Sequence, residues 1–385
     1  FSNVKNVPMD NTGRTEHTKL ITEQGYSYYN PVIPAGFKTI QTADARWNIV
    51  YDETLNKYII EGWNNGLVIE DSQGNQFVWV TVDGTNVKYE KTYSIETSGW
   101  TLDGDIAEGA VSKTDIATMV GSGENGYGGF YIARYEAGIP STLTSAITLN
   151  VTSDTTTLDD TTIRNARSIT GENVKPVSKA NQIPWNWISF ASAKTNAQNM
   201  YTLKDSSNNI KVQSILPTDN MWEATMQWLE KSIDPVTKTT INVRTDCRGW
   251  GNYVNAPVEN VTKYSPYNDT RKLGITGLGT LEKDWKSITS QTKPTSTNWK
   301  DGWLLPTGHS DYTKRNNIYD LAGNLWEWTE EASFYGGNVA TQYRVIRGGS
   351  CNDASGDYPA CYRNGNYTVS YTSFNIGFRA VLYIK

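Results

Sequence analysis

Apolar and β-branched residues flank a turn early in the chain: Gly66-Leu67-Val68-Ile69-Glu70, then Asp71-Ser72-Gln73-Gly74-Asn75, then Gln76-Phe77-Val78-Trp79-Val80. Such runs around a Gly-Asn turn predict a β-hairpin. A further strand is predicted at Gly129-Phe130-Tyr131-Ile132-Ala133-Arg134-Tyr135-Glu136, and a closing one at Gly377-Phe378-Arg379-Ala380-Val381-Leu382-Tyr383-Ile384, pairing with the first hairpin. Helical spacing appears twice. Residues 187–200 place Phe190, Ala193, Ala197 and Met200 on one face, and 221–229 follow Pro217-Thr218-Asp219, a plausible cap. Residues 1–63 are polar and turn-rich, with a short alternating segment at Tyr58-Ile59-Ile60, and read as an N-terminal extension to a domain over 64–385. The Ser/Thr-rich stretch 139–174 reads as an inserted loop or short polar hairpin. After residue 246 the chain is loop-heavy, with Gly, Asn and Pro interspersed.

Three ordered motifs close the chain. They are Asn316-Asn317-Ile318-Tyr319-Asp320-Leu321-Ala322-Gly323-Asn324-Leu325-Trp326-Glu327-Trp328, then Arg344-Val345-Ile346-Arg347-Gly348-Gly349-Ser350, then Asn375-Ile376-Gly377-Phe378-Arg379. In that order they resemble the signature of the formylglycine-generating-enzyme (sulfatase-modifying factor) domain. Phe130-Tyr131-Ile132-x-Arg134-Tyr135-Glu136 and Leu216-Pro217-Thr218 with Trp222-Glu223 resemble earlier parts of it. The resemblance implies an α+β, C-type-lectin-like fold. It also implies two possible trades: an oxidative enzyme, or the variable protein of a diversity-generating retroelement, which uses the fold only to bind.

The enzymatic branch needs two cysteines five apart that hold copper, thiolates being soft ligands suited to Cu(I). Cys361-Tyr362-Arg363 resembles the second of them, but Cys351 stands ten residues earlier, and the matching position falls at Gly356. No copper is expected. The related iron-dependent branch needs a histidine cluster, and only His17 and His309 exist. Cys247, Cys351 and Cys361 leave at least one thiol unpaired.

The binding branch is favoured by the composition of 349–377. Trp, Met, Glu, Gln and Lys are absent from it, and Asn, Asp, Ser, Thr, Tyr, Gly, Cys, Phe and Ala dominate. These are residues reached when the adenines of an Asn codon mutate, which is how such retroelements rewrite a variable region. The bland alternative is an Asn-rich surface loop. The expected ligand contacts are Cys351, Asn352, Asp353, Ser355, Asp357, Tyr358, Asn364, Asn366, Tyr367, Ser370, Tyr371, Thr372 and Phe374. Rigid rings interleaved with small polar groups are the chemistry of a paratope. No catalytic residue is expected. The resemblance further implies a calcium ion on the Asp320 and Glu327 side chains and the Gly323 and Leu325 carbonyls, oxygen ligands that calcium prefers. The same motif is otherwise a metal-free turn, and a calcium-dependent carbohydrate-binding lectin is a further alternative.

Bulk properties narrow the partners. A net charge of −5 without a basic cluster argues against nucleic acid. No apolar run is long enough to span a membrane, and Phe1 opens a polar stretch rather than a signal peptide. The expectation is a protein or cell-surface ligand met outside a cell or on a virion.

Overall fold

The Asp71 carboxylate closes the first hairpin. Its Oδ1 accepts the Gln73 and Asn75 N–H groups at 2.9 and 2.8 Å, and its Oδ2 accepts the Asn75 amide at 2.8 Å. The computed structural model describes residues 20–23, 26–29, 31, 33–42, 48–52, 57–62, 65–82, 128–143, 160–234, 237–266, 286–287, 292–333 and 342–384. Its principal elements are, in chain order, β1 (Phe37–Thr39), β2 (Val68–Asp71), β3 (Gln76–Thr81), β4 (Gly129–Ala133), α1 (Asp160–Arg167), α2 (Phe190–Asn199), β5 (Thr202–Lys204), β6 (Ile210–Ile215), α3 (Asp219–Glu230), β7 (Trp326–Ser333), β8 (Tyr343–Arg347), β9 (Arg363–Thr368), β10 (Ile376–Phe378) and β11 (Val381–Ile384). Short strand pairs at 20–29, 48–61 and 314–319 accompany them. His17 lies outside the described residues.

Sheet dominates. Among the described residues, β1-β2-β3-β4-β11-β6-β5 form one antiparallel sheet. Both faces of its centre are buried, which is why its strands are nearly continuous apolar runs. Phe77, Trp79, Tyr131, Ala133, Leu382 and Ile384 face one core, and Val78, Val80, Phe130, Ile132, Val381 and Tyr383 the other. Helix α2 covers the first face. Its Ser189 cap accepts the Ser192 N–H, so the helix starts at Phe190 and buries Phe190, Ala193 and Ala197. Helix α3 covers the second face, capped by Thr218 accepting the Met221 N–H.

A smaller sheet, β9-β8-β7-β10, supplies Trp326, Trp328, Ile346, Ile376 and Phe378 to the first core. Strand β10 runs parallel to β7, and the other pairs are antiparallel.

Three expectations change. The closing strand is two strands, β10 and β11, broken at Arg379-Ala380 so that each serves a different sheet. Strand β11 pairs with β4 and β6, and β4 stands between it and the hairpin. Stretch 139–174 holds helix α1, while 144–159 lie outside the described residues. From within residues 1–63, β1 lies at the edge of the main sheet, Phe37 packing edge-on to Phe77 at 5.8 Å.

Trp326 is 2% exposed and sits where the small sheet meets the first core. Trp326→Ala should lower unfolding free energy by roughly 3–5 kcal/mol. Urea denaturation checks this, and a loss under about 1 kcal/mol would remove that ring from the core.

Candidate binding surface

The segment between Ser350 and Asn375 begins and ends on one polar knot. The Asn375 amide donates to Ser350 Oγ at 3.2 Å and to Asn352 Oδ1 at 3.1 Å. The Ser350 hydroxyl and N–H both donate to Asp353 Oδ2, at 2.5 and 2.9 Å. Gly349 permits the entry: its φ is +75°, and a Cβ there would lie 2.5 Å from the Tyr358 carbonyl oxygen. At the other end, the Trp187 N–H holds the Ser373 carbonyl at 3.0 Å and the Asn186 amide holds that of Phe374 at 2.6 Å. Both ends of the segment are therefore held by buried or half-buried groups.

Between the ends the expected contact residues separate into three sets. Asp357, Asn366, Ser370 and Tyr371 are exposed. Asn352, Asp353, Tyr358, Asn364, Tyr367, Thr372 and Phe374 are half-buried. Cys351 and Ser355 are buried, so neither faces a ligand: the Ser355 hydroxyl donates to Asp246 at 2.7 Å, and Cys351 lies against the Gly302 turn. Tyr367 and Tyr371 approach at 4.8 Å between ring centroids. Beneath them Trp326, Tyr358 and Tyr362 form an edge-to-face group with centroids 4.9–5.8 Å apart. Rings thus form both the rim and the floor.

Deeper lie the charges. Arg379 is fully buried and grips Glu327, its Nε at 3.0 and 2.9 Å from Oε1 and Oε2 and its Nη2 at 2.6 Å from Oε1. It also donates to the carbonyls of Ala133 and Tyr319, each at 2.9 Å. Glu136, equally buried, accepts from the Asn324 amide at 2.6 Å and the Leu325 N–H at 3.0 Å. Burial raises the Glu136 carboxyl well above the usual range, and the charges of Asp320 and Glu327 add to that. Arg347 makes a second hub, donating to Glu223 at 2.7 Å, Glu331 at 3.3 Å and the Cys361 carbonyl at 2.8 Å. Arg363 also donates to Glu331.

The calcium expectation meets this network. Asp320, Gly323, Leu325 and Glu327 do share one loop-strand junction. Both Asp320 oxygens, however, already accept from Gly308 N–H and the Thr313 hydroxyl, each at 2.7 Å. Both Glu327 oxygens are taken by Arg379. Gly323 has its own reason to be glycine, a φ of +76° with the Asn252 carbonyl oxygen 2.2 Å from where a Cβ would sit. Among the described residues no group of three acidic, His or Cys side chains is arranged to hold a metal. These residues do not fit the ion, because a guanidinium supplies the positive charge instead.

Cys351 sits beside Lys293, which burial lowers to about 8, whereas Cys361 sits on the turn at 242–247. Burial pushes both thiols up to about 12, so neither is a thiolate at neutral pH.

Sequence comparison gives the lineage of this arrangement. A family described as "Sulfatase-modifying factor enzyme 1-like domain" matches residues 105–384. The chain belongs to that family. No curated protein matches it. It is similar to a solved structure titled "Crystal Structure of CarF", at 15% identity over 73% of this chain and 96% of that one, TM-score 0.31. It is also similar to Treponema denticola variable protein 1, at 15% identity over 80% of this chain and 96% of that one, TM-score 0.30. Arg379 in the closing motifs and Glu136 in the earlier one carry the buried charge that the sequence pattern leaves without a role. Their signal was visible: each is a charge set inside an apolar strand pattern, Phe378-Arg379-Ala380-Val381 and Tyr135-Glu136-Ala137.

Two outcomes follow from these charges. Removing divalent cations with EDTA should leave the melting temperature unchanged within about 1 °C; a drop of several degrees would restore a structural metal. Burial also pushes the Asp353 carboxyl up to about 6, against the opposing Ser350 and Trp326 hydrogen bonds. A carboxyl raised on folding makes the native state hold the extra proton, so stability falls as pH rises through that window. Wild type should therefore lose melting temperature relative to Asp353→Asn between about pH 4 and pH 7. Parallel profiles would refute the shift.

Proposed function

We propose that this chain is a non-enzymatic ligand-binding protein: a C-type-lectin-like scaffold of the sulfatase-modifying factor family that presents 349–377 as a retroelement-diversified surface. The observation that carries the reading is a division of labour within that segment. Side chains that hold it (Ser350, Ser355, Cys361, Tyr362) are buried, whereas Asp357, Asn366, Ser370 and Tyr371 face solvent. Substitution at such exposed positions changes stability by less than about 0.5 kcal/mol each. Rings with few rotamers give contact area at low entropic cost, and small polar neighbours adapt their hydrogen bonds. The surface suits a protein or other cell-surface ligand, met extracellularly or on a virion. The oxidase reading is disfavoured by the chemistry of the thiols, which are enclosed, protonated and set among different neighbours.

Two experiments test the proposal. Genomic sequence around the gene should hold a near-identical repeat of this region with adenines at the variable codons, beside a reverse transcriptase gene. A complete neighbourhood without one would sink the diversification claim. Protein incubated with Cu(I), oxygen and a cysteine-containing peptide should give no aldehyde. Aldehyde formation that disappears in Cys361→Ser would make the protein an oxidase.

A further inference from the structure

Two of the three thiols meet on one turn. The Cys247 Sγ accepts the N–H of Ala360, the residue before Cys361, at 3.2 Å, and donates to the Asn242 carbonyl at 3.4 Å. The Cys361 N–H donates to the Val243 carbonyl at 3.1 Å, and its Sγ to that of Arg244 at 3.7 Å. Both side chains, 0% and 1% exposed, belong to the same apolar core. The third thiol, Cys351, has other neighbours, the Gly302 turn and Lys293. The 242–251 turn also carries Asp246, which receives the Ser355 hydroxyl. It thus underlies the variable segment at both 355 and 361.

We propose that Cys247 and Cys361 are a specific redox pair whose disulfide clamps the root of strand β9 to the 242–251 turn. In the reaction the two thiols give up two protons and two electrons to a small disulfide such as oxidised glutathione. One sulfur–sulfur bond forms, and the oxidant leaves as two thiols. The turn already orders the backbone on both sides, so closure joins groups that folding has brought together. It takes place while the chain folds, since both sulfurs are enclosed afterwards. The clamp secures the frame beneath Asn364, Asn366 and Tyr367 without using any solvent-facing position. This inference does not depend on the binding proposal, and a disulfide at Cys361 would leave no free thiolate there for copper.

The test is to unfold the full chain, refold it in a glutathione redox buffer, and map it by mass spectrometry after alkylation without reductant. The expected result is one cross-linked peptide pair joining Cys247 to Cys361, with Cys351 alkylated. The linked protein should melt about 5–10 °C higher than the reduced one, given how much entropy a loop of roughly a hundred residues forfeits when closed. That shift should persist in Cys351→Ser and vanish in Cys247→Ser and Cys361→Ser. Three alkylated cysteines in refolded wild type, or a cross-link that includes Cys351, would overturn the proposal without reference to any variant's folding.

Discussion

The whole arrangement hangs on the buried ion pair between Arg379 and Glu327. Arg379 stands at the break between β10 and β11, where the chain leaves one sheet for the other. Its guanidinium spans both: Glu327 lies on β7 of the small sheet, and the Ala133 carbonyl ends β4 of the large one. A third bond reaches Tyr319 in the short strand pair at 314–319. Such a pair adds little over a well-packed apolar substitute, yet removing one partner strands a buried charge and costs roughly 3–5 kcal/mol. Its contribution is therefore geometric: it sets the angle and register at which the small sheet sits on the large one. Three buried carboxylates surround this one cation, and the raised Glu136 carboxyl is the consequence.

From that joint the rest of the surface follows. Strand β10 cannot shift without moving β7, and β7 carries Trp326, the floor under Tyr358 and Tyr362. Arg347 does similar work on the other side, joining helix α3 through Glu223 to β7 through Glu331 and to the Cys361 carbonyl. The two hubs bracket the segment 349–377 with protein–protein charges, and the polar knot of Ser350, Asn352 and Asn375 closes its ends. A loop so constrained from beneath keeps its shape with little help from its outward side chains, which is what a surface open to variation requires.

Much of this was legible in the sequence. The hairpin at 66–80, the helix entry at Thr218 and the closing motifs were readable because each depends on local chemistry: an Asx turn, a hydroxyl cap, a run of rings. The split at Arg379-Ala380 was not, since Phe378 and Val381 read as one apolar strand and only tertiary context shows that they serve different sheets. The surroundings of the Asp320 loop were hidden for a related reason. The resemblance groups Asp320 and Glu327 as oxygen donors, but the cation that meets Glu327 is Arg379, 52 residues away. Cys351 and Ser355 read as surface residues by composition, while burial depends on the Gly302 turn and on Asp246, both distant in sequence. Pairing of the closing strand with β4 was likewise invisible to periodicity, which reports faces and not neighbours.

Fixed buried charges hold the frame of 349–377 without help from its outer side chains. This is tested most directly by saturation mutagenesis of residues 349–378 in a display format sorted only for folded protein. Broad tolerance is expected at Asp357, Asn366, Ser370 and Tyr371, and strong depletion of substitutions at Ser350, Ser355, Cys361 and Tyr362. Equal depletion at the exposed and the buried positions would contradict it.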